Sequence, residues 1–417
     1  MQKRKLISIV IMVLWSLQIF SQETINTMFY NLLNFPEAPP SNRPEILKAI
    51  LDNYQPDLFM VCELQSEIGA NTILSSFPRT EDDRYRAAEF VTNQSSSSNN
   101  LQQLVFYNSQ KFILDDQRII TTSIRDINHY IFILNTQNTS VNPVYLDVFV
   151  THLKSSQGFE NEQLRLQMVT EFTNYLSNMS SDRFVIFSGD LNLYTSNESA
   201  YQELLDPTNS IVLKDPVDTS GGWNNNITFQ DIHTQSTRVS NDGFDNYGAG
   251  GGLDDRFDFI LVSENLQSNS TLHYVNDSYK AYGNNGNCFN ENINDISCAG
   301  TTYSQSIRDH LYNMSDHLPI VMQLQTDQVL NLYDDLQSNN YIQFKNGNVI
   351  SKSIVLESDT SILTKKINIY NSMGQIVKSS PIEKTITNID ATNLANGIYY
   401  ISLQNSYNFT PLKFIKI

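Results

Sequence analysis

Between residue 24 and about residue 325, short apolar runs alternate with amphipathic stretches, the pattern of an α/β domain with buried strands. A helix is predicted from Asn42, because Pro44 suits a first turn and Ile46, Leu47, Ile50, Leu51 and Tyr54 follow at helical spacing before Pro56 stops it. Leu58 to Cys62 is an apolar run short enough for a buried strand, and it ends at Glu63. Tyr145 to Val150 predicts another strand, ending at Thr151-His152, and Leu164, Met168, Phe172 and Leu176 mark a second amphipathic helix after it. Phe184 to Phe187 repeats the theme and runs into Ser188-Gly189-Asp190-Leu191-Asn192. Strand after strand terminates in Glu, His or Asp-x-Asn, which collects polar groups along one rim of the sheets, where α/β enzymes place chemistry.

The Ser-rich stretch Ser95 to Asn100 and the Gly/Asn-rich segment Gly221 to Gly252 read as loops, the first of them solvated. After about residue 326 the composition shifts. Arg disappears, Lys remains, and β-branched runs such as Lys366-Ile367-Asn368-Ile369-Tyr370 and Ile398-Tyr399-Tyr400-Ile401-Ser402-Leu403 take over, with a turn signal at Asn396-Gly397. This predicts a separate small all-β module. At the other end Lys3, Arg4 and Lys5 precede an apolar run from Leu6 to about Phe20, with Ser21 and Gln22 after it. The run falls short of the ~20 residues a membrane span needs, so it reads as a cleavable signal peptide. The expected division is 1–22 signal peptide, 23–325 main domain, and 326–417 linker and β-domain, in keeping with a 417-residue chain that exceeds what one core usually serves.

Composition adds two constraints. Hydrophobic residues at 40% and aromatics at 11% suffice for a sizeable core and exclude global disorder. Net charge is −17, yet the leader is basic and residues 330–417 hold more Lys than acids, so the acidity is concentrated in the middle. Such a surface repels a polyanion and cannot supply the phosphate neutralisation of non-specific DNA binding, so bound cations must compensate at any phosphate site. Export lets disulfides persist, which pairs Cys288 with Cys298 on one polar loop and leaves Cys62, inside an apolar run, buried and reduced.

Hydrolysis of a phosphate ester needs a metal to neutralise developing charge, a base to activate water, and donors for the oxyanion; oxygen ligands suit Mg²⁺. The candidates are Asn31, Glu63, His152, Asp190, Asn192, Asp258, Asp316 and His317. Each also has a plain structural reading: Asn31 as a turn residue, Glu63 as a solvated strand end, His152 as a satisfied core histidine, Asp190-Leu191-Asn192 as an Asx turn, Asp316-His317 as a cap.

Together they resemble the endonuclease/exonuclease/phosphatase family over about residues 24 to 325. The segments stand in family order: Phe29-Tyr30-Asn31-Leu32-Leu33-Asn34, Val61-Cys62-Glu63-Leu64, Thr151-His152-Leu153-Lys154-Ser155, Ser188-Gly189-Asp190-Leu191-Asn192, Arg256-Phe257-Asp258-Phe259-Ile260 and Ser315-Asp316-His317-Leu318-Pro319. The Gly-Asp-x-Asn and Ser-Asp-His-x-Pro segments are the specific ones. The resemblance implies a four-layer α/β sandwich of two mixed β-sheets flanked by helices, with a cleft at the strand ends. It implies that Glu63, with Asn31, holds the metal and that Asp316 is a further ligand; the ion is Mg²⁺, with Mn²⁺ or Ca²⁺ as alternatives. Asp190 would position water, Asn192 would hydrogen-bond the phosphoryl group, and His317, oriented by Asp258, would be the general base. His152 would stabilise the oxyanion or protonate the leaving group, and Lys154 could add a cation at the substrate phosphate. The segment Asp231 to Arg238, leading into Gly250 to Asp258, is expected to shape the cleft mouth. No counterpart of a basic minor-groove contact follows Glu63, where Gln65 and Ser66 stand.

The last 80 or so residues resemble the type IX secretion sorting domain of Bacteroidetes, through Ile367 to Gln375, Leu394 to Ile401 and Lys413 to Ile417. The combined expectation is a secreted or cell-surface metal-dependent phosphodiesterase, an extracellular endonuclease with nucleic acid as substrate and the type IX export machinery as partner. Two rivals stand beside it. A phospholipid-directed, sphingomyelinase-like enzyme needs an exposed apolar hairpin, and none is evident; a non-catalytic surface-binding protein would have lost the base or the metal carboxylate.

Overall fold

The computed structural model describes residues 22–78, 84–96, 100–139, 141–331, 342–404 and 411–417. The apolar leader, and residues 97–99 of the Ser-rich stretch, lie outside them. The chain divides into two compact units, Met1–Leu332 and Tyr333–Ile417.

Among the described residues the first unit has thirteen strands: β1 Glu23–Phe35, β2 Leu58–Leu64, β3 Tyr85–Ala87, β4 Gln102–Asn108, β5 Phe112–Ile120, β6 Ile127–Leu134, β7 Tyr145–His152, β8 Phe184–Asp190, β9 Leu213–Lys214, β10 Asp258–Ser263, β11 His273–Tyr274, β12 Lys280–Ala281 and β13 Ile320–Thr326. They form two mixed sheets. One has the order β11-β13-β1-β2-β4-β3, with β12 also on β13; the other runs β5-β6-β7-β8-β10-β9. Only β1·β2 and β7·β8 are parallel. Five helices accompany them: α1 Arg43–Tyr54, α2 Glu67–Ser76, α3 Phe159–Leu176, α4 Ser199–Leu204 and α5 Gln305–Met314.

The two-residue period of a strand decides what each sheet face buries. In β8, Phe184 and Ile186 join the core shared with the first sheet, whereas Val185 and Phe187 join a second core under α3 and α4. β10 alternates likewise, Ile260 and Val262 inward against Phe259 and Leu261 outward. Both faces are covered, which is why these strands read as continuous apolar runs. Ile46, Leu47, Ile73 and Leu311 of α1, α2 and α5 extend the first core beyond the other sheet. The result is the expected four layers, helix, sheet, sheet, helix.

The same alternation aims the site. His152 follows Val150, Asp190 follows Ser188, and Asp258 precedes Ile260, so all three carry the parity that faces the opposite sheet. Register aligns them too, with His152 opposite Asp190 in β7·β8 and Asp190 opposite Asp258 in β8·β10. With strands about 4.8 Å apart, three polar side chains share one row at the end of the sheet. Gly189 permits the close approach, because a Cβ there would lie 2.4 Å from the Thr151 carbonyl oxygen.

The second unit is an all-β module, as the composition shift predicts. Ile342–Phe344, Ser353–Ser358 and Ile386–Asp390 form a three-stranded sheet; Val349–Ile350, Leu412–Lys416, Gly397–Leu403, Lys366–Asn371 and Ile376–Pro381 form a five-stranded one. Ile354, Leu356, Ile367, Ile369, Ile401 and Phe414 are among its buried core.

Candidate active site

At the strand ends of the first unit a cavity of about 440 Å³ is lined by Glu63, His152, Asp190, Asn192, Asp316 and His317 among others. From the first sheet come Asn31 and Glu63, where the β1·β2 register breaks between Asn31 and Phe35 and the β2·β4 register between Val61 and Leu64. Glu63 sits at φ 58°, in the left-handed region that a non-glycine residue rarely adopts. Such irregularities re-aim a side chain at a sheet rim. The Glu63 carboxylate accepts from Asn31 Nδ2 at 3.1 Å and from the Asn34 backbone N–H at 3.0 Å. Buried Arg43 holds this turn together, donating to the carbonyls of Leu32, Leu33, Ala38 and Met314.

From the second sheet come His152, Asp190 and Asp258. Asp190 Oδ2 accepts from Asn31 Nδ2 at 3.0 Å, and its Oδ1 accepts from Asn192 Nδ2 at 2.8 Å and Asn192 N at 3.1 Å. The Asx turn of Asp190 and Asn192 is thus present, and it stands at the cavity. His152 Nε2 lies 3.4 Å from Asp190 Oδ2, and its Nδ1 is 3.9 Å from Glu63 Oε1. That Nδ1 is buried without a hydrogen-bond partner among the described residues.

The loop after α5 brings the last pair. His317 Nδ1 lies 2.7 Å from Asp258 Oδ2, the carboxylate-imidazole pairing expected from the sequence. Its Nε2 points into the cleft, 3.7 Å from Asp190 Oδ2. Asp316 Oδ2 accepts from the Ala249 N–H at 2.7 Å and from Gln235 Nε2 at 2.9 Å, while its Oδ1 is buried without a partner.

Electrostatics follow from this crowding. Burial, then the nearby Asp258 and Glu63 carboxylates, push Asp190 up to about 7. Burial and Asp316 raise Glu63. His152 is held well below the usual imidazole range by burial, with Arg125 and His317 adding to it, and is neutral. Burial would depress His317 as well, but Asp258, Asp316 and Asp190 lift it well above that range. Behind the cleft, burial pushes the Cys62 thiol well up, which leaves it inert.

One ligand atom each from Glu63, His152 and Asp190 lies within 4.8 Å of the others, and so do atoms of Asp190, Asp258 and His317. Acidic and imidazole groups are thus close enough to hold a metal ion. The chemistry fits one: carboxylates forced together, with Glu63 and Asp190 pushed above the usual carboxylate range, and orphaned carboxylate oxygens on Asp258 and Asp316, are what a hard divalent cation relieves.

The structure thus brings Asn31, Glu63, His152, Asp190, Asn192, Asp258, Asp316 and His317 into one cleft. Lys154 stands apart from its lining, with Nζ donating to the Ser155 carbonyl at 2.7 Å. The cation that does line the cavity is Arg125, just before β6, whose Nη1 donates to the carbonyls of Leu153 (2.9 Å) and His152 (3.3 Å). Gln235 is a second residue the motifs omit. It comes from the segment read as loop, whose middle is irregular but buried: Thr234, Ser236, Thr237 and Arg238 are shut away from solvent, and Gln235 pairs with both Asp255 and His317. Only its position inside Asp231–Arg238, expected at the cleft mouth, hinted at it. The Cys288–Cys298 disulfide is present, and Cys62 is free and buried.

Residues 346–417 match the family model described as a secretion system C-terminal sorting domain. No curated protein gives a significant match. Solved structures with similar architecture include an endonuclease/exonuclease/phosphatase from Bacteroides vulgatus (13% identity, TM-score 0.47, covering 73% of this chain and 99% of that one). D. rerio TDP2 complexed with a single-strand DNA product is another (15%, 0.46, 73% and 99%). A third is the mannosyl-6-phosphatase Bt3783 of Bacteroides thetaiotaomicron (14%, 0.43, 72% and 99%). In its fold and its ordered motifs the chain resembles the endonuclease/exonuclease/phosphatase family, and at its C-terminus it carries a secretion system sorting domain.

Proposed function

We propose that this protein is an exported, divalent-cation-dependent phosphodiesterase that hydrolyses nucleic acid. The observation that carries the reading is the convergence, from two sheets and one loop, of the Glu63–His152–Asp190 cluster with the His317–Asp258 pair. Glu63 and Asp190, with Asn31 beside them and Asp316 at the rim, would hold Mg²⁺ or a similar ion. When bound, that ion supplies charge neutralisation at the phosphoryl oxygens.

The chain's own groups do the rest. Asp190 orients a water toward phosphorus, and the neutral form of His317 takes its proton at Nε2 while Asp258 stabilises the resulting imidazolium. The P–O bond to the leaving group breaks as the bond to water oxygen forms. Asn192 and neutral His152 donate hydrogen bonds to phosphoryl oxygens. The acidic surface favours short or single-stranded nucleic acid over a duplex, since no basic track neutralises two phosphate backbones.

The sorting domain supports export through type IX machinery, with the apolar leader as the expected signal peptide. No helix among the described residues is long and apolar enough to cross a membrane. The test is a panel of single-stranded DNA, RNA, plasmid DNA, sphingomyelin and a simple phosphodiester, each with Mg²⁺ or EDTA. Cation-dependent cleavage of the nucleic acids supports the proposal. Turnover of sphingomyelin alone, or of nothing, overturns it.

A further inference from the structure

A second cavity, of about 520 Å³, adjoins the first and shares Asn34, Leu101 and Arg125 with it. Arg125 stands between the two. Nη1 is committed to the His152 and Leu153 carbonyls, which fixes the guanidinium plane. Nε is shut away from solvent with no partner; the Glu63 and Asp190 carboxylates act on the guanidinium electrostatically, but neither forms an ion pair with it among the described residues. A half-buried guanidinium left this way is costly unless an anionic oxygen reaches it, and its planar fork suits a phosphoryl group.

The rest of the second cavity is chemically different. Ser96, Asn100 and Ser123 join Asn34 in its lining beside the apolar Leu101 and Ile124, so beyond Arg125 it offers hydroxyls, carboxamides and two aliphatic side chains. Among the described residues Arg125 is the only Lys or Arg lining either cavity. One cation followed by neutral polar groups does not track a polyanion. It matches a single phosphoryl oxygen attached to a neutral body rich in hydroxyls and amide-like edges.

We infer that the second cavity is a substrate subsite for one nucleoside unit, whose phosphate is held on Arg125 at the junction with the cleft. This rests on the phosphodiesterase reading and narrows it. The body beside the reacting phosphate must enter a pocket, which an unpaired nucleotide does and a stacked, base-paired one does not.

The test is calorimetric titration of the full chain, in Mg²⁺, with thymidine 5′-monophosphate and with inorganic phosphate. Ser123→Tyr fills the cavity and Asn100→Asp puts a like charge in it. Each is expected to weaken nucleotide binding by about tenfold or more while leaving phosphate within about threefold; Arg125→Ala is expected to weaken both. The inference is overturned if both cavity variants leave nucleotide binding unchanged, if they weaken phosphate equally, or if a duplex competes as well as its single strand. Hydrolysis of bis(p-nitrophenyl) phosphate by the same samples separates the two claims. Its persistence in the cavity variants shows an intact centre, and its absence in the wild type sinks the hydrolase reading while the binding comparison still judges the subsite.

Discussion

Gln235 Nε2 lies 2.7 Å from Nε2 of His317 and 2.9 Å from Oδ2 of Asp316. The carboxylate fixes which end of the amide faces the imidazole, because a carboxamide oxygen there would meet Asp316 with like partial charge. In the neutral ring, a donor aimed at Nε2 requires a lone pair on that nitrogen, which leaves the ring proton on Nδ1, toward Asp258. Gln235 thereby positions the tautomer a general base needs.

Replacement by an apolar side chain without the donor should therefore touch turnover more than binding. Gln235→Leu is expected to lower kcat by about tenfold or more, with KM within about threefold and Tm close to the wild type. Nitrogen NMR of the His317 ring, followed upward in pH until the ring is neutral, gives a second readout, with the remaining proton on Nδ1 in the wild type and mixed tautomers in the variant. Equal kcat and an unchanged ring spectrum would remove Gln235 from this role.

The crowded carboxylates make a stability prediction with a definite sign. Asp190 is raised from an ordinary value of 3.8 to about 7 in the folded protein. Its contribution is therefore fully present below pH 3.8 and is lost as pH rises toward 7. In EDTA, Tm should fall across this window, and Asp190→Asn should fall less over the same range. Mg²⁺ should recover more Tm at pH 8 than at pH 5.5, since ligands deprotonate to bind it. Parallel pH profiles for the two proteins would contradict the assignment.

Gly189 gives a packing prediction. A methyl group 2.4 Å from the Thr151 carbonyl oxygen forces β7 and β8 apart at the Thr151–Gly189 rung, next to the one that aligns His152 with Asp190. Gly189→Ala is expected to cost about 1–3 kcal/mol in urea denaturation and to lower activity beyond that loss. Wild-type stability in this variant would mean the strands can shift freely.

Much of this site is legible from sequence because continuous apolar strands, buried on both faces, end abruptly in polar residues at β2, β7 and β8. The period of two then sends Asp190, His152 and Asp258 to the same side. Gln235 and Arg125 are not legible in that way. Neither follows an apolar strand, and each is placed by contacts with residues far along the chain, Gln235 by backbone pairing with Asp255 and His317, Arg125 by side-chain hydrogen bonds to the carbonyls at the end of β7. The left-handed turn at Glu63 is equally silent in sequence, since it depends on register breaks in two neighbouring strand pairs. Lys154 illustrates the converse. A strand-end lysine next to a site histidine looks like a phosphate ligand, but it is absent from the cavity lining and gives one of its N–H groups to a neighbouring carbonyl.

The most direct measurement is release of nitrophenol from bis(p-nitrophenyl) phosphate by wild type, Glu63→Gln and His317→Ala, each titrated with Mg²⁺. The expected result is cation-dependent hydrolysis by the wild type and a loss of about 100-fold or more in His317→Ala. In Glu63→Gln, activity should return only at much higher Mg²⁺. Hydrolysis indifferent to Mg²⁺, or an unaltered rate without His317, would contradict the claim that these residues form one phosphodiesterase centre.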